Sequence, residues 1–498
     1  MKYTSTRDNT VRVDSAYAIA RGISPDGGLY VPVEIPSYSY KDLCSTVKAD
    51  YRERSADILS RFLTDYSIDE LRQCTYAAYT DKFGDDEVAP VVNVNDGRYV
   101  LELWHGPTSA FKDMALQLLP HLLTRANAKI GSDKETVILV ATSGDTGKAA
   151  LEGFADVPGT RIVVFYPEDG VSNIQKLQMA TQLGDNVQVC AVRGNFDDAQ
   201  TGVKRIFTDP AINAELGMNG LAFSSANSIN WGRLAPQIVY YINAYLELME
   251  SGEMDYEGEE VNIVVPTGNF GNILAAYYAK MMGLPVKRLI CASNANNVLT
   301  EFINTGIYDR NRRFHTTISP SMDILISSNL ERLLFHLCGG DSARVKGWMN
   351  SLSTTGRYQI DDQMLFDLRK IFWAGCCDDD ATKKCIKTMF ESERYLCDTH
   401  TAVGLDVYRQ YVQRTDDAKT PAIIASTASP YKFSPSVLDA IAGVDPARDE
   451  FDMISELSVV TGCPVPEKLA ALRSMPVRFN RVCNREDMPA VVRSLLGL

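Results

Sequence analysis

The chain has 498 residues, enough for two or three domains with a large interior. Apolar residues make up 45% and charged residues 23%, the ordinary balance of a globular protein. Fifty basic residues against 63 acidic ones leave a net charge of −13, and no basic stripe interrupts it, so nucleic acid is excluded as a natural partner. The opening Met1-Lys2-Tyr3-Thr4-Ser5-Thr6 lacks the apolar core of a signal peptide. No run approaches the ~18 apolar residues of a membrane-spanning helix, and the expected location is the cytoplasm, with no membrane partner. Among the eleven cysteines, Cys376, Cys377, Cys385 and Cys397 lie near His400 in sequence. No pair has the C-x2-C spacing of a structural zinc site, and adjacent Cys376 and Cys377 point to different sides of most backbones. Free thiols in a reducing compartment and no metal are the expectation.

Residues from about 41 to 85 read as helical, and Ser67-Ile68-Asp69-Glu70 has the capping-box pattern that opens a helix. Residues 1–90 are therefore expected to form a mainly helical N-terminal domain. Beyond them, apolar runs alternate with helical stretches: Tyr99–Trp104, Val137–Ala141, Arg161–Tyr166, Val187–Val192, Leu221–Ser225, Val261–Pro266, Arg288–Ala292 and Ala422–Ala425. This alternation indicates an α/β architecture with largely parallel sheets, which place sites at the carboxyl ends of their strands. Residues 91–443 read as this core, and 341–417 as a charged, mostly helical insertion within it, with Asp378-Asp379-Asp380 as a loop or cap. Residues 444–498 form a tail with no assigned role.

Three turns carry chemistry. The Tyr99–Trp104 run leads into His105-Gly106-Pro107-Thr108-Ser109-Ala110-Phe111-Lys112-Asp113. It sets one lysine on an exposed loop beside a rigid element, where an amine can reach a carbonyl carbon. Ala141-Thr142-Ser143-Gly144-Asp145-Thr146-Gly147-Lys148 superficially suggests a nucleotide-binding P-loop, but that motif needs glycine at Thr142 and Ser or Thr at Ala149. Two hydroxyls, an acid and bare backbone N–H groups suit a carboxylate or small polar substrate better. Thr267-Gly268-Asn269-Phe270-Gly271-Asn272 sits between the Val261–Pro266 run and a helical stretch from Ile273. Strand, glycine-rich turn and helix aim backbone N–H groups at an anion. With no lysine or arginine in the turn, a phosphate here is held by backbone amides and asparagine side chains; an ordinary βα turn is the other reading.

A lysine able to form a Schiff base, a phosphate cradle without basic residues and a carboxylate-sized turn together fit pyridoxal phosphate. The three segments resemble the threonine synthase family, as do Tyr3-Thr4-Ser5-Thr6-Arg7, Gly27-Gly28-Leu29-Tyr30-Val31-Pro32 and Ser426-Thr427-Ala428. The resemblance runs from about residue 3 to about residue 435. It implies an α/β, two-lobed fold type II pyridoxal-phosphate enzyme with mainly parallel sheets, a helical N-terminal segment, and cofactor and substrate between the lobes. It implies that Lys112 forms the Schiff base and moves protons at Cα and Cβ. Gly268, Asn269, Phe270, Gly271 and Asn272 would hold the cofactor phosphate, and Ser143, Gly144, Asp145 and Thr146 the substrate's carboxylate. The Thr427 hydroxyl would face the pyridine nitrogen; that Ser426 and Thr427 cap the helix that follows is the simpler reading, and the two are compatible.

The family's substrate, O-phospho-L-homoserine, carries a second phosphate. Asn227-Ser228-Ile229-Asn230-Trp231-Gly232-Arg233 resembles its binding segment, with Arg233 as the charged donor and Asn227 and Ser228 as neutral ones. The alternative makes Asn230 an N-cap and Arg233 a surface charge, although arginine in a first turn is mildly disfavoured by the helix dipole. Lys176 is a further candidate for this phosphate, His105 reads as a brace for the lysine loop, and His400 as no part of catalysis. The expected reaction is γ-elimination of phosphate and β-addition of water to give L-threonine, a carbon–oxygen lyase activity of amino-acid biosynthesis. Motifs alone leave open a phospho-lyase that releases 2-oxobutanoate and a serine/threonine dehydratase of the same fold. A non-catalytic binding protein is the reading from another class, against which the intact Lys112 speaks. Nothing in the sequence separates a monomer from a homodimer.

Overall fold

A computed structural model describes residues 1–95, 97–142, 144–169, 171–255, 258–445 and 448–498. Two sheets organise the chain. The first has six strands in the order Phe372–Cys376, Val286–Ser293, Val261–Pro266, Ala422–Ser426, Arg98–Glu102, Val91–Asn95. All its pairings are parallel except the last, an antiparallel hairpin. The second has five parallel strands in the order Val482–Cys483, Val187–Val192, Thr160–Pro167, Glu135–Ala141, Leu221–Ser224. All eight strands expected from the apolar runs are present, and the architecture is α/β with mainly parallel sheets. No helix among the described residues is long and apolar enough to cross a membrane.

The N-terminal segment pairs Tyr3–Ser5 with Tyr30–Pro32 and carries helices Tyr40–Ser45, Tyr51–Phe62 and Ile68–Tyr79. Two of these helices open on complete capping boxes, Ser39 with Asp42 and the expected Ser67 with Glu70. This segment shares the main core: Tyr3 and Phe62 lie against the fully buried Trp231 at ring distances of 5.3 and 5.6 Å, and Tyr278 meets the same indole at 5.4 Å. Trp231 begins the helix Trp231–Glu250, which is buried along nearly its whole length.

Two segments differ from the expectation. Residues 341–417 are no insertion, because Phe372–Cys376 lies parallel to Val286–Ser293 as the edge of the six-stranded sheet. The helix Thr399–Thr415 then packs across that sheet, burying Ala402, Val403, Leu405 and Val407. Its mixed sequence hid a strand of only five residues whose middle, Ala374-Gly375, carries little apolar surface. The tail also has a place. Val482–Cys483 extends the five-stranded sheet beside Val187–Val192, and helix Met488–Leu496 covers helix Phe196–Thr208. Met488 is fully buried in that contact. Met488→Ala should therefore lower stability by about 2–5 kcal/mol through lost burial and a cavity. Denaturant unfolding checks this, and an unchanged midpoint would show that the tail packs too loosely to matter.

Candidate active site

Lys112 lies past the end of strand Arg98–Glu102, on a segment held from two sides. Behind it, the fully buried Asp113 carboxylate accepts from the Thr108 N–H at 2.7 Å and the Thr108 hydroxyl at 2.8 Å. In front, the Phe111 N–H donates to the Thr427 carbonyl at 2.9 Å and the Ser429 N–H to the Ser109 carbonyl at 3.0 Å. Clamped this way, Lys112 is not an exposed loop residue: it starts the short helix Asp113–Leu116, and its side chain is 12% exposed. Burial pushes its amine below the usual lysine range; Asp145 opposes the shift, while the charges of Lys432 and Arg233 add to it. His105 pairs with Glu102 at 2.7 Å and stacks on Trp104 at 4.2 Å, away from the amine.

The second turn closes on the same amine from the other sheet. At Gly144 φ is +139°, a conformation open to glycine, and a Cβ there would sit 2.6 Å from Gln175 Cδ. Thr142 Oγ1 accepts from the N–H groups of Gly144 at 3.0 Å and Gly147 at 2.9 Å. Ser143 lies outside the described residues. Asp145 opens helix Asp145–Phe154, with its carboxylate 2.7 Å from Lys432 Nζ, 2.8 Å from Gln175 Nε2 and 3.6 Å from Lys112 Nζ. Burial works against its charge, yet Lys432 and Lys112 hold it well below the usual carboxylate range. The Asp145 side chain is thus committed to cations and cannot receive a substrate carboxylate. That expectation reduces to the backbone N–H groups at the helix start, where Thr146 is half-buried.

Lys432 escaped the sequence reading. Its side chain is fully buried and also donates to the Thr108 carbonyl at 3.0 Å. The only signal was its place five residues after the Thr427 motif.

The glycine-rich turn follows strand Val261–Pro266 and enters helix Gly271–Met282 through Phe270 in the left-handed conformation, φ +64°. A side chain at Gly268 would meet the Ser321 carbonyl at 2.7 Å, so the turn needs glycine there. No protein acceptor takes the N–H groups of Gly268, Asn269 or Phe270 among the described residues. The Asn269 carbonyl accepts from the N–H and side chain of Asn329, both at 3.1 Å. Asn272 Oδ1 accepts from the Tyr240 hydroxyl at 2.7 Å and from Tyr241, while its buried Nδ2 has no partner.

Thr427 ends strand Ala422–Ser426 and is 6% exposed. The helix cap falls to neither Ser426 nor Thr427: Ser429 accepts from the Tyr431 N–H, and Ser426 Oγ takes Trp104 Nε1 and Thr401 Oγ1, both at 3.0 Å.

In the fourth segment, Asn230 caps helix Trp231–Glu250 by accepting from the Gly232 N–H at 2.8 Å. Arg233 is nonetheless no surface charge. It is 4% exposed, donates to the Ala226 carbonyl at 2.9 Å, has no carboxylate partner among the described residues, and leaves its buried Nε unpaired. Burial lowers its pKa to about 10, so the guanidinium remains charged at neutral pH. Asn227 is exposed, and the carbonyl of half-buried Ser228 accepts from Asn329 at 3.3 Å. Lys176 has no bond to any of these side chains, although Gln175 on the same helix does. All eleven cysteines are free thiols, and no group of three or more His, Cys, Asp or Glu among the described residues is placed to hold a metal ion.

Comparison with known proteins gives this arrangement a class. Residues 90–348 match the family model described as pyridoxal-phosphate dependent enzyme, and that is the class of this chain. Residues 2–79 match the model for the threonine synthase N terminus and 401–493 that for the threonine synthase C-terminal region. Threonine synthase-like 1 of Homo sapiens is 42% identical over 434 residues, covering 85% of this chain; the chain spans 57% of that relative's length. Threonine synthase of Pseudomonas aeruginosa is 38% identical over 451 residues, 90% of this chain and 92% of that one. The crystal structure of pyridoxal-phosphate-bound threonine synthase from Brucella melitensis superposes with a TM-score of 0.88 at 36% identity, covering 99% of both chains. The chain belongs to the threonine synthase family.

The residues present fit the cofactor of that class. The glycine-rich turn offers backbone donors, the unpartnered Asn272 Nδ2 and the positive end of a helix, which together suit a phosphate. Lys112, an amine with a lowered pKa, suits a carbonyl.

Because Asp145 neutralises the fully buried Lys432, Asp145→Asn should cost about 3–5 kcal/mol by stranding that charge. Thermal or denaturant unfolding measures it; a loss below about 1 kcal/mol, the worth of an exposed pair, would show that water reaches this bond.

Proposed function

We propose that the chain converts O-phospho-L-homoserine and water to L-threonine and phosphate. The observation that carries this reading is the buried Arg233, charged, without a carboxylate partner among the described residues and close enough for its field to be felt at Lys112. A dehydratase acting on a substrate without a second phosphate has no use for such a guanidinium. Pyridoxal phosphate, when bound, draws electrons from the substrate and makes the protons on Cα and Cβ removable.

The chain's own groups do the rest. The Lys112 amine takes the Cα and Cβ protons and delivers protons to Cγ and Cα, helped by a pKa that burial lowers. Backbone N–H groups at Asp145 and Thr146, on the turn that Gly144 shapes, orient the substrate's carboxylate. Gly268, Asn269, Phe270, Gly271 and Asn272 hold the cofactor phosphate. Thr427 offers the pyridine nitrogen a neutral hydroxyl, which withdraws less charge than an acid would. Arg233, with Asn227 and Ser228, binds the phosphate that leaves from Cγ. Held there, the departing phosphate lies near Cβ and takes a proton from the water that adds. A cytoplasmic location goes with this reading.

The wild-type protein should release phosphate from O-phospho-L-homoserine with threonine as the dominant product. Mainly 2-oxobutanoate and ammonia would make it a phospho-lyase instead. Lys112→Ala should lose both turnover and the visible absorption of the bound cofactor while staying folded, since Asp145 keeps Lys432 as its counter-ion. Borohydride reduction and peptide mapping that placed the pyridoxyl group on another lysine would refute the role.

Arg233→Ala should keep the visible band but lose about two to three decades of kcat/KM, the worth of a desolvated charge-assisted contact. Unchanged kinetics would remove Arg233 from the substrate site.

A further inference from the structure

Resting on the reaction just proposed, we infer that Ser321 is a positioning residue for Lys112: its hydroxyl holds the released amine toward the substrate between proton transfers, and His400 with Asp398 holds Ser321. Ser321 belongs to no segment singled out in the sequence, and His400 was read as idle. Ser321 Oγ lies 3.5 Å from Lys112 Nζ, accepting from it, and 3.4 Å from Asp145 Oδ2, to which it donates. Asp145 turns this same Oδ2 to Lys112 at 3.6 Å, while its other oxygen, Oδ1, takes Lys432 and Gln175. The hydroxyl therefore lies between an amine and a carboxylate that face each other as an ion pair, within reach of both at 3.5 and 3.4 Å.

The serine is held through its backbone. Its N–H donates to His400 Nε2 at 3.1 Å. That bond requires the Nε2 lone pair, so the ring proton sits on Nδ1, which faces Asp398 Oδ2 at 2.6 Å. Asp398 is fully buried and also caps helix Thr399–Thr415 by accepting from the His400 and Thr401 N–H groups. The serine's carbonyl meanwhile packs against Gly268 of the phosphate turn. Ser321 is thus held at its backbone N–H, with its carbonyl against Gly268, while the residue remains exposed.

The amine needs such a partner because its freedom is a liability. Once free, a flexible lysine facing Asp145, Lys432 and Arg233 can turn toward the acid or away from the two cations. An acceptor on the cleft side favours one direction and stabilises the ammonium form after each proton is taken.

The test compares wild type, Ser321→Ala and Ser321→Thr. In the holoenzyme with O-phospho-L-homoserine, Ser321→Ala should lower kcat about tenfold, the worth of a hydrogen bond to a charged group, with KM changed less than about twofold. The visible absorption band should be unchanged, and Ser321→Thr should restore most of kcat. The second readout does not use turnover. On the full chain with cofactor removed, competitive acetylation of Lys112 followed by peptide mass spectrometry reports the amine's titration. Loss of an acceptor for the ammonium should move that midpoint down by about one pH unit in Ser321→Ala but not in Ser321→Thr. An alanine variant with wild-type kcat and midpoint overturns the inference. So does one that loses the absorption band, since the hydroxyl would then serve cofactor retention. A wild type that releases no phosphate from the substrate sinks the proposed reaction instead, and the acetylation midpoint still judges Ser321.

Discussion

One buried carboxylate sets the geometry of the site. Asp145 stands at the start of a helix on the five-stranded sheet, and its strongest partners, Lys432 at 2.7 Å and Lys112 at 3.6 Å, both come from the six-stranded sheet. A carboxylate 6% exposed is costly unless it is paired, and Lys432 with a fully buried side chain is costlier still. Each satisfies the other, so the two sheets are registered against each other where the chemistry must occur. The positive end of helix Asp145–Phe154 favours the same charge. A pair spanning two lobes adds less to net stability than its short distance suggests. Its larger effect is to penalise any arrangement in which the lobes close out of register.

The charges around this pair bear on how Lys112 reacts. Lys432 and Arg233 both act on the charge of Lys112, Asp145 opposes them there, and the buried Asp113 lies in the field of Lys432. Burial depresses the Lys112 pKa and the two cations add to it, which frees the amine to act as nucleophile and base; in the reaction proposed above the same cations favour an anionic substrate. In that reaction the same cations serve both reactivity and recognition.

Much of this was legible locally. Lys112, the Gly268–Asn272 turn and the Gly144 turn each follow an apolar run, and strand–turn–helix order can be read within a dozen residues. The Asn230 cap and the Ser67 capping box are likewise local patterns. What escaped depends on partners distant in sequence. Nothing near Lys432 marks it as the counter-ion of Asp145, and nothing near Ser321 marks it as the neighbour of Lys112. Residues 341–417 were misread because a strand packed at a sheet edge through Ala374-Gly375 has too little apolar surface to stand out from flanking helices. The exposed reading of Lys112 failed for a related reason. Sequence shows the turn, but not the Thr427 and Ser429 backbone that closes over it.

The same distance dependence accounts for the N-terminal segment, which contributes no reactive group and yet belongs to the site's support. Arg332, fully buried, donates to the Tyr30 carbonyl at 3.0 Å, to Asn329 Oδ1 and to the Ile229 carbonyl. Asn329 in turn holds the Ser228 and Asn269 carbonyls. Two side chains therefore tie the Asn227–Arg233 segment, the Gly268–Asn272 turn and the first sheet of the N-terminal segment into one network. Arg7 and Thr6 reinforce it through Glu331, at 2.7 and 2.6 Å. In the reaction proposed above, a substrate with a phosphate at one end must reach a cofactor with a phosphate at the other, which makes the spacing between these two segments a specificity element. That spacing is set by residues that touch neither ligand, which is why the N-terminal segment is built into the core through Tyr3, Phe62 and Trp231 instead of being appended to it.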